Sequence, residues 1–104
     1  MNLRRYQEAV MDGLFCREGV DPLSHCAHGL TGEAGEVADL VKKSQYENGD
    51  LDVRKMLEEL GDVLWYLTNL SGQLGYTLDE IAGINITKLA ARHPHLYSKY
   101  EEVV

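Results

Sequence analysis

Apolar residues recur at spacings of three and four along most of the chain, with polar residues between them. This is the period of an α-helix that turns one side towards a core. The pattern predicts four helices, over residues 3–14, 22–45, 52–74 and 77–92. No segment shows the convincing period-two alternation of a half-buried strand. The sequence therefore predicts a single all-α domain over residues 1–104.

Several predicted helix ends carry residues that stabilise them. Asp21 precedes a proline, which places a capping carboxylate before a residue suited to the first helical turn. Thr77 and Glu80 have the spacing of a capping box. Pro94 disfavours helical backbone at the residue before it, so the fourth helix is predicted to end there. Residues 95–104 fit either a short helix or a disordered tail.

The third predicted helix is apolar on more than one side. Its middle part includes Leu60, Val63, Leu64, Trp65, Tyr66, Leu67 and Leu70. A helix that is apolar nearly all round is buried on two sides. In a chain of this size, that pattern indicates a central helix that also lies in an oligomer interface.

Three glycines interrupt the second predicted helix, at Gly29, Gly32 and Gly35. Each costs about 0.5–1 kcal/mol relative to alanine in a helix interior. Three of them in one helix favour close approach by another backbone or by a ligand. The alternative is a helix that is weak in this region.

The composition narrows the classes of function. The chain has 104 residues and a formal net charge of −7, which disfavours binding to the phosphate backbone of DNA or RNA. Its first residues lack the apolar run of a signal peptide, and no apolar stretch approaches the length of a membrane span. Cys16 and Cys26 form no CxxC pair, which fits reduced thiols and a cytoplasmic location.

Two pairs of carboxylates are the strongest chemical signal. Glu33 and Glu36 lie three residues apart in the second predicted helix, and so do Glu59 and Asp62 in the third. Residues three apart lie on one side of a helix. If these helices pack antiparallel, four carboxylates come together, and they need a cation because like charges repel at short range. Such oxygen ligands suit Mg²⁺, Mn²⁺ or Ca²⁺, and Mg²⁺ typically accompanies a phosphate substrate.

The alternative explanation for one acidic pair is an ordinary solvated helix face. However, Glu33 lies between Leu30 and Val37 on the side predicted to face the core. Asp62 lies within an almost wholly apolar run. Burying a carboxylate in such surroundings costs several kcal/mol of folding free energy unless it is paired or bound to a metal. The two pairs together therefore favour a metal site.

Three segments also carry a resemblance to a known family: residues 32–37 (GEAGEV), 58–63 (EELGDV) and 85–92 (NITKLAAR). Together they resemble the ExxE…ExxD signature, and the NxxKLxxR that follows it, of the MazG-like nucleoside triphosphate pyrophosphohydrolases. The resemblance covers roughly residues 22–94. It implies an all-α MazG-like bundle of four to five helices that is completed by oligomerisation.

The resemblance implies an activity as well. Members of this family hydrolyse a (d)NTP to the (d)NMP and pyrophosphate, and so remove unwanted nucleotides. They depend on Mg²⁺, with Mn²⁺ as a substitute, and the matching ligands here are Glu33, Glu36, Glu59 and Asp62. Glu33 and Glu36 would be the catalytic carboxylates, and Glu33 would orient or deprotonate the attacking water. Members are homodimers or homotetramers, and the same is expected of this chain.

Lys88 and Arg92 are candidates for binding the phosphates of the substrate. They lie four residues apart on one side of the fourth predicted helix, and the guanidinium of Arg92 suits a phosphate. Asn85 lies on the same side and could contact phosphate or sugar. The alternative is that both cations are solvated and only favour the helix C-terminus.

Trp65 and Tyr66 follow Asp62 by about one turn, so either ring could stack on a nucleobase. Packing in a core or interface is the alternative. Tyr66 matches a position at which related enzymes carry a substrate-contacting tyrosine, and it is preferred over Trp65. His28 is predicted to line the substrate pocket or to pack, and His25 to face solvent.

Two other functions remain open as alternatives. A related enzyme on the same fold could be specific for dUTP, dCTP or phosphoribosyl-ATP. A helical interaction module without catalysis is the alternative from another class.

Overall fold

The computed structural model describes residues 1–13 and 19–101, and their helical content confirms the all-α prediction. These residues form five α-helices and contain no strand. The helices are α1 (Leu3–Asp12), α2 (Pro22–Lys43), α3 (Val53–Gln73), α4 (Leu78–Arg92) and α5 (Pro94–Tyr97). A π-helical turn follows α2, and a 3-10 turn follows α5. Cys16 and the end of the first predicted helix lie outside the described residues.

The predicted caps are present at the starts of two helices. The Asp21 side chain accepts a hydrogen bond from the backbone N–H of Leu23 at the start of α2. At the start of α4, Thr77 and Glu80 form both hydrogen bonds of a capping box. Because each cap satisfies backbone donors that have no partner within the helix, these residues define where the helices begin.

The clearest difference from the predicted helix ends is at the end of α2. α2 was predicted to continue to residue 45, but it ends at Lys43 and continues as the π-helical turn Ser44–Asn48. The Ser44 hydroxyl donates to the carbonyl of Val41 at 2.8 Å, a local bond of the kind that competes with α-helical pairing. α4 ends before Pro94 as predicted, and the segment after it forms α5 and the 3-10 turn Ser98–Tyr100.

The antiparallel pair of α2 and α3 is the most extensive contact in the fold. At one end of the pair, the Gln73 amide donates towards Cys26 Sγ at 3.3 Å. In the middle, the backbone at Gly29 lies against the ring of Tyr66. This packing places Glu33 of α2 opposite Glu59 and Asp62 of α3.

α1 packs against α3 and the start of α4. The Gln7 side chain bridges the turn between those two helices, because its amide donates to the carbonyl of Tyr76 and its oxygen accepts from the N–H of Leu78, both at 2.9 Å. Further along α1, Met11 packs on Gly72, where a side chain larger than hydrogen would displace it. α1 therefore fixes the angle at which α4 leaves α3.

The apolar core of the described residues is small. Val10, Cys26, Leu78 and Ala90 are its buried apolar members. The Cα radius of gyration is 16.6 Å, whereas a compact domain of about 100 residues has one of about 13 Å. One chain therefore leaves much of its apolar surface uncovered. No helix in the described part of the chain is both long and apolar enough to cross a bilayer.

Candidate metal and substrate site

Three carboxylates meet where α2 and α3 pack together. Ligand oxygens of Glu33, Glu59 and Asp62 all lie within 4.8 Å of one another. Glu59 is buried, with 11% of its side chain exposed, while Glu33 is half-buried and Asp62 is exposed. The cluster is thus closed on the protein side and open on the side from which a ligand could enter.

A hydrogen bond joins two members of this carboxylate cluster. The bond between Glu33 and Glu59 raises the pKa of Glu33, and partial burial and the charges of Asp62, Glu59 and Glu36 raise it further. The same bond lowers the pKa of Glu59, and a hydrogen bond from Lys55 lowers it again. The opposite directions of the two pKa changes make Glu33 the member of the pair that binds a proton more tightly, and its protonated carboxyl would donate towards the Glu59 carboxylate.

Lys55 also belongs to this site, as a cation beside Glu59 that the sequence analysis did not predict. Its Nζ lies 3.2 Å from Oε1 of Glu59, one helical turn away on α3. Hydrogen bonding to Glu59 and the charge of Glu59 raise the pKa of Lys55. The signal was present in the sequence, because lysine and glutamate four residues apart on a helix commonly pair.

Glu36 is the predicted ligand that stands apart from the carboxylate cluster. Its side chain is exposed, one turn beyond Glu33 on α2. It is close enough for its charge to contribute to the raised pKa of Glu33. Among the described residues, only the other three predicted ligands are brought within coordination distance of a common point.

The carboxylate cluster fits a hard divalent cation. Three carboxylate groups within 4.8 Å of one another repel, and that repulsion is removed when a cation binds between them. Oxygen donors that leave part of the coordination sphere open suit Mg²⁺, which usually keeps waters or takes phosphate oxygens as further ligands. The donor set offers no thiolate or imidazole, so it does not favour Zn²⁺.

The aromatic residues form a group next to the carboxylate cluster. The Tyr66 ring lies one turn from Asp62 on α3 and is partly buried. Trp65 meets it edge-on with the ring centroids 5.0 Å apart, and His25 does so at 6.3 Å. His28 is exposed, with its Nδ1 3.4 Å from the Ser24 hydroxyl. Of the two histidines, the structure thus places His25 beside the tyrosine.

The predicted phosphate-binding residues lie elsewhere in the chain. Asn85, Lys88 and Arg92 are exposed on α4. α4 packs against α1, α3 and the C-terminal turns, makes its smallest contact with α3, and does not touch α2 within the described residues. A single chain therefore does not bring these side chains together with the carboxylate cluster.

A separate groove runs along the other side of α4. Its volume is 820 Å³, and it is lined by the first half of α4 together with Tyr100 and Glu101. None of the clustered carboxylates lines it. The groove is therefore distinct from the acidic site.

Comparisons with known proteins agree with this chemistry. The family model described as the MazG nucleotide pyrophosphohydrolase domain matches residues 22–97, which include the carboxylate cluster and the basic residues of α4. The "Gene 37 protein" of Mycobacterium phage L5 is 34% identical over 88 residues, covering 81% of this chain and 77% of that protein. No solved structure matches the chain. With the acidic pairs placed on facing helices and a family match over most of its length, the chain belongs to the MazG nucleotide pyrophosphohydrolases.

Proposed function

We propose that this protein is a Mg²⁺-dependent nucleoside triphosphate pyrophosphohydrolase, which converts a (d)NTP to the (d)NMP and pyrophosphate. The observation that carries the proposal is the convergence of Glu33, Glu59 and Asp62 within 4.8 Å. A triphosphate brings further oxygen ligands for the same cation, so protein and substrate complete one coordination sphere. The nucleotide pool of the cytoplasm is the setting in which we expect it to act, with Mn²⁺ able to replace Mg²⁺.

A divalent cation held by these residues would neutralise the triphosphate and supply a water of lowered pKa. Glu59 and Asp62 would be ligands of the metal. Glu36, one turn beyond Glu33, would be a further ligand or a catalytic carboxylate. Glu33 orients the attacking water. As a carboxylate, Glu33 would accept a proton from that water.

The nucleoside end of the substrate is assigned to the aromatic group. Tyr66 lies one turn from Asp62, so a base stacked on its ring would lie next to phosphates held at the carboxylate cluster. Trp65 and His25 support that ring by their edge contacts. His28, exposed on the same helix as His25, is a more distant contact. Stacking tolerates any base, so it supports binding of nucleotides without selecting one.

We assign the basic residues of α4 to a site shared between two chains. Asn85, Lys88 and Arg92 do not reach the carboxylates of their own chain, yet they are exposed and suited to phosphate. A line of exposed apolar residues also runs along the first part of α3, at Val53, Leu57 and Leu60. In a homodimer or homotetramer, covering that line with a second copy would allow one chain's cations to serve the other chain's carboxylates.

Product analysis tests the reaction. Each dNTP and NTP is incubated with Mg²⁺, and the products are separated by ion-exchange chromatography. Monophosphate and pyrophosphate are expected. Turnover should fall by about 10²-fold or more in Glu33→Gln, which loses the proton acceptor, and should be unchanged in Glu8→Gln on the exposed side of α1. Diphosphate and orthophosphate as products would overturn the proposed reaction.

The same panel separates the remaining alternatives. An enzyme restricted to dUTP, dCTP or phosphoribosyl-ATP would turn over that substrate alone. A non-catalytic helical module would bind no nucleotide in the presence of Mg²⁺. Titration calorimetry with a nonhydrolysable triphosphate, with and without Mg²⁺, distinguishes this module from the enzyme.

Subunit mixing tests the shared site. In a Glu33→Gln chain paired with an Arg92→Ala chain, one of the two sites combines intact carboxylates with an intact arginine. Random pairing should therefore restore about a quarter of the wild-type activity from two inactive proteins. If both residues act within one chain, mixing restores none, and the shared site is wrong.

A further inference from the structure

Gly29 has a neighbour that the other glycines of α2 lack. A methyl group built at Gly29 would overlap Cε1 and Cζ of the Tyr66 ring and would lie 2.6 Å from its Cδ1. The same methyl group at Gly32 or Gly35 would meet nothing within 4 Å among the described residues. At Gly29 the close neighbour is thus a side chain of α3 and not a second backbone, while Gly32 and Gly35 have no close neighbour among the described residues.

The Gly29–Tyr66 contact forms the layer next to the carboxylate cluster. Gly29 precedes Glu33 by four residues on α2, and Tyr66 follows Asp62 by four on α3. Because the two helices run antiparallel, both steps lead in the same direction along their interface. Four residues of helix rise about 6 Å, a length comparable with the distance from the α-phosphate across the sugar to the nucleobase.

The Tyr66 ring is held from more than one side. The backbone of α2 at Gly29 limits it on one side, the Trp65 ring meets it at an interplanar angle of 89°, and His25 meets it at 65°. A tyrosine ring turns about only two side-chain bonds, so these contacts leave it few positions. A methyl group at position 29 would force the ring to move, because the helix backbone cannot yield as easily.

We propose that Gly29 is a positioning residue that sets the place of the Tyr66 ring, and through it the place of the substrate's nucleoside. This inference rests on the proposed function for its substrate, but the ring position itself can be measured without any substrate. A displaced ring occupies the space beside the carboxylate cluster or leaves the nucleoside unsupported. Nucleotide binding should then weaken while the carboxylates keep their affinity for metal.

Gly29→Ala and its control Gly32→Ala test the inference directly. In Gly29→Ala, the KM for nucleotide should rise about 10- to 100-fold, with a smaller change in kcat and unchanged Mg²⁺ affinity by calorimetry. Trp65 is the only tryptophan, and it contacts Tyr66, so its emission should shift in Gly29→Ala without ligand. Gly32→Ala should change neither KM nor emission. Unchanged KM and emission in Gly29→Ala would overturn the inference.

A double-mutant cycle shows whether Gly29 acts through the ring. In a Tyr66→Leu background, the ring atoms that overlap the methyl group are gone, so Gly29→Ala should change KM less than about twofold. If Gly29→Ala alone fails to fold by circular dichroism, Tyr66→Leu should restore its folding for the same reason. An equal effect of Gly29→Ala in both backgrounds, on KM or on folding, would contradict the proposal. If the wild type turns over no nucleotide, the proposed function fails, and the emission and folding readouts still decide the ring's dependence on Gly29.

Discussion

Glu33 and Glu59 form a side-chain hydrogen bond across the interface of α2 and α3. The bond raises the pKa of Glu33 and lowers that of Glu59, so a proton shared by the pair would reside on Glu33. A divalent cation bound at the carboxylate cluster would displace that proton, since metal ligands must be deprotonated. The bond therefore links three properties of the protein: its stability, its pH dependence and its capacity to bind metal.

The first prediction concerns stability against pH without metal. Because the pKa of Glu33 is raised, its contribution is complete below the unfolded pKa and is lost as pH rises through the folded one. Glu59, whose pKa is lowered, acts in the opposite direction: its contribution is lost as pH falls through the lowered value. In Glu33→Gln, the amide still donates to Glu59 and cannot ionise. Its melting temperature relative to wild type should therefore rise as the pH increases above about 4.3, the ordinary pKa of glutamate, in EDTA.

Thermal melts across that pH range provide the measurement, with Glu8→Gln as the control that removes an exposed carboxylate elsewhere. The control should follow the wild-type curve. Parallel curves for Glu33→Gln and wild type would show that the shared proton does not contribute to stability.

The second prediction concerns Asp62 as a metal ligand. Mg²⁺ that binds the folded chain alone should raise the wild-type melting temperature with concentration. Asp62→Asn removes one charged oxygen from the three that converge, so its Mg²⁺ affinity should be at least about tenfold weaker. Asp12→Asn, at the exposed end of α1, should leave the affinity unchanged. Calorimetric titration measures both, and equal affinities in the two variants would remove Asp62 from the site.

The sequence was sufficient to predict the convergence of Glu33, Glu59 and Asp62. Spacing of three residues placed each pair on one side of a helix, and antiparallel packing brought the sides together. It was not sufficient for Glu36, because a spacing of three turns a side chain about 60° around the helix. Only the local angle between α2 and α3 decides whether that side chain reaches the cluster.

The position of α4 could not be obtained from helix patterns at all. Lys88 and Arg92 were correctly placed on one side of a helix, but their distance from the carboxylates depends on tertiary packing. That packing includes Gln7, which bridges the turn before α4 through two hydrogen bonds. A glutamine on the first helix carries no local signal of a contact about seventy residues away.

The third prediction concerns Lys55 as an internal competitor of the metal. Its ammonium lies 3.2 Å from Glu59, where it offsets negative charge that a cation would otherwise neutralise. Lys55→Met should therefore bind Mg²⁺ about two- to fivefold more tightly, the range expected for a partly exposed ion pair. Lys43→Met is the control, because Lys43 pairs with Asp39 at 3.0 Å on α2 in the same spacing. Weaker Mg²⁺ binding in Lys55→Met would show that the lysine supports the metal site instead.

The last prediction concerns the exposed apolar line of α3. Leu57 is 59% exposed in the single chain, so Leu57→Glu removes little packing within it. A stable dimer buries about 800 Å² per partner, and a charge in the middle of such an area is strongly unfavourable. Sedimentation velocity should therefore show the wild type as an oligomer and Leu57→Glu at the mass of one chain, 11.7 kDa. Leu96→Glu, 52% exposed on α5, should leave the oligomer intact. If the site is shared between chains, Leu57→Glu should also lose turnover. Its circular dichroism should show that the helices are unchanged. A monomer that still turns over nucleotide would place the whole site within one chain.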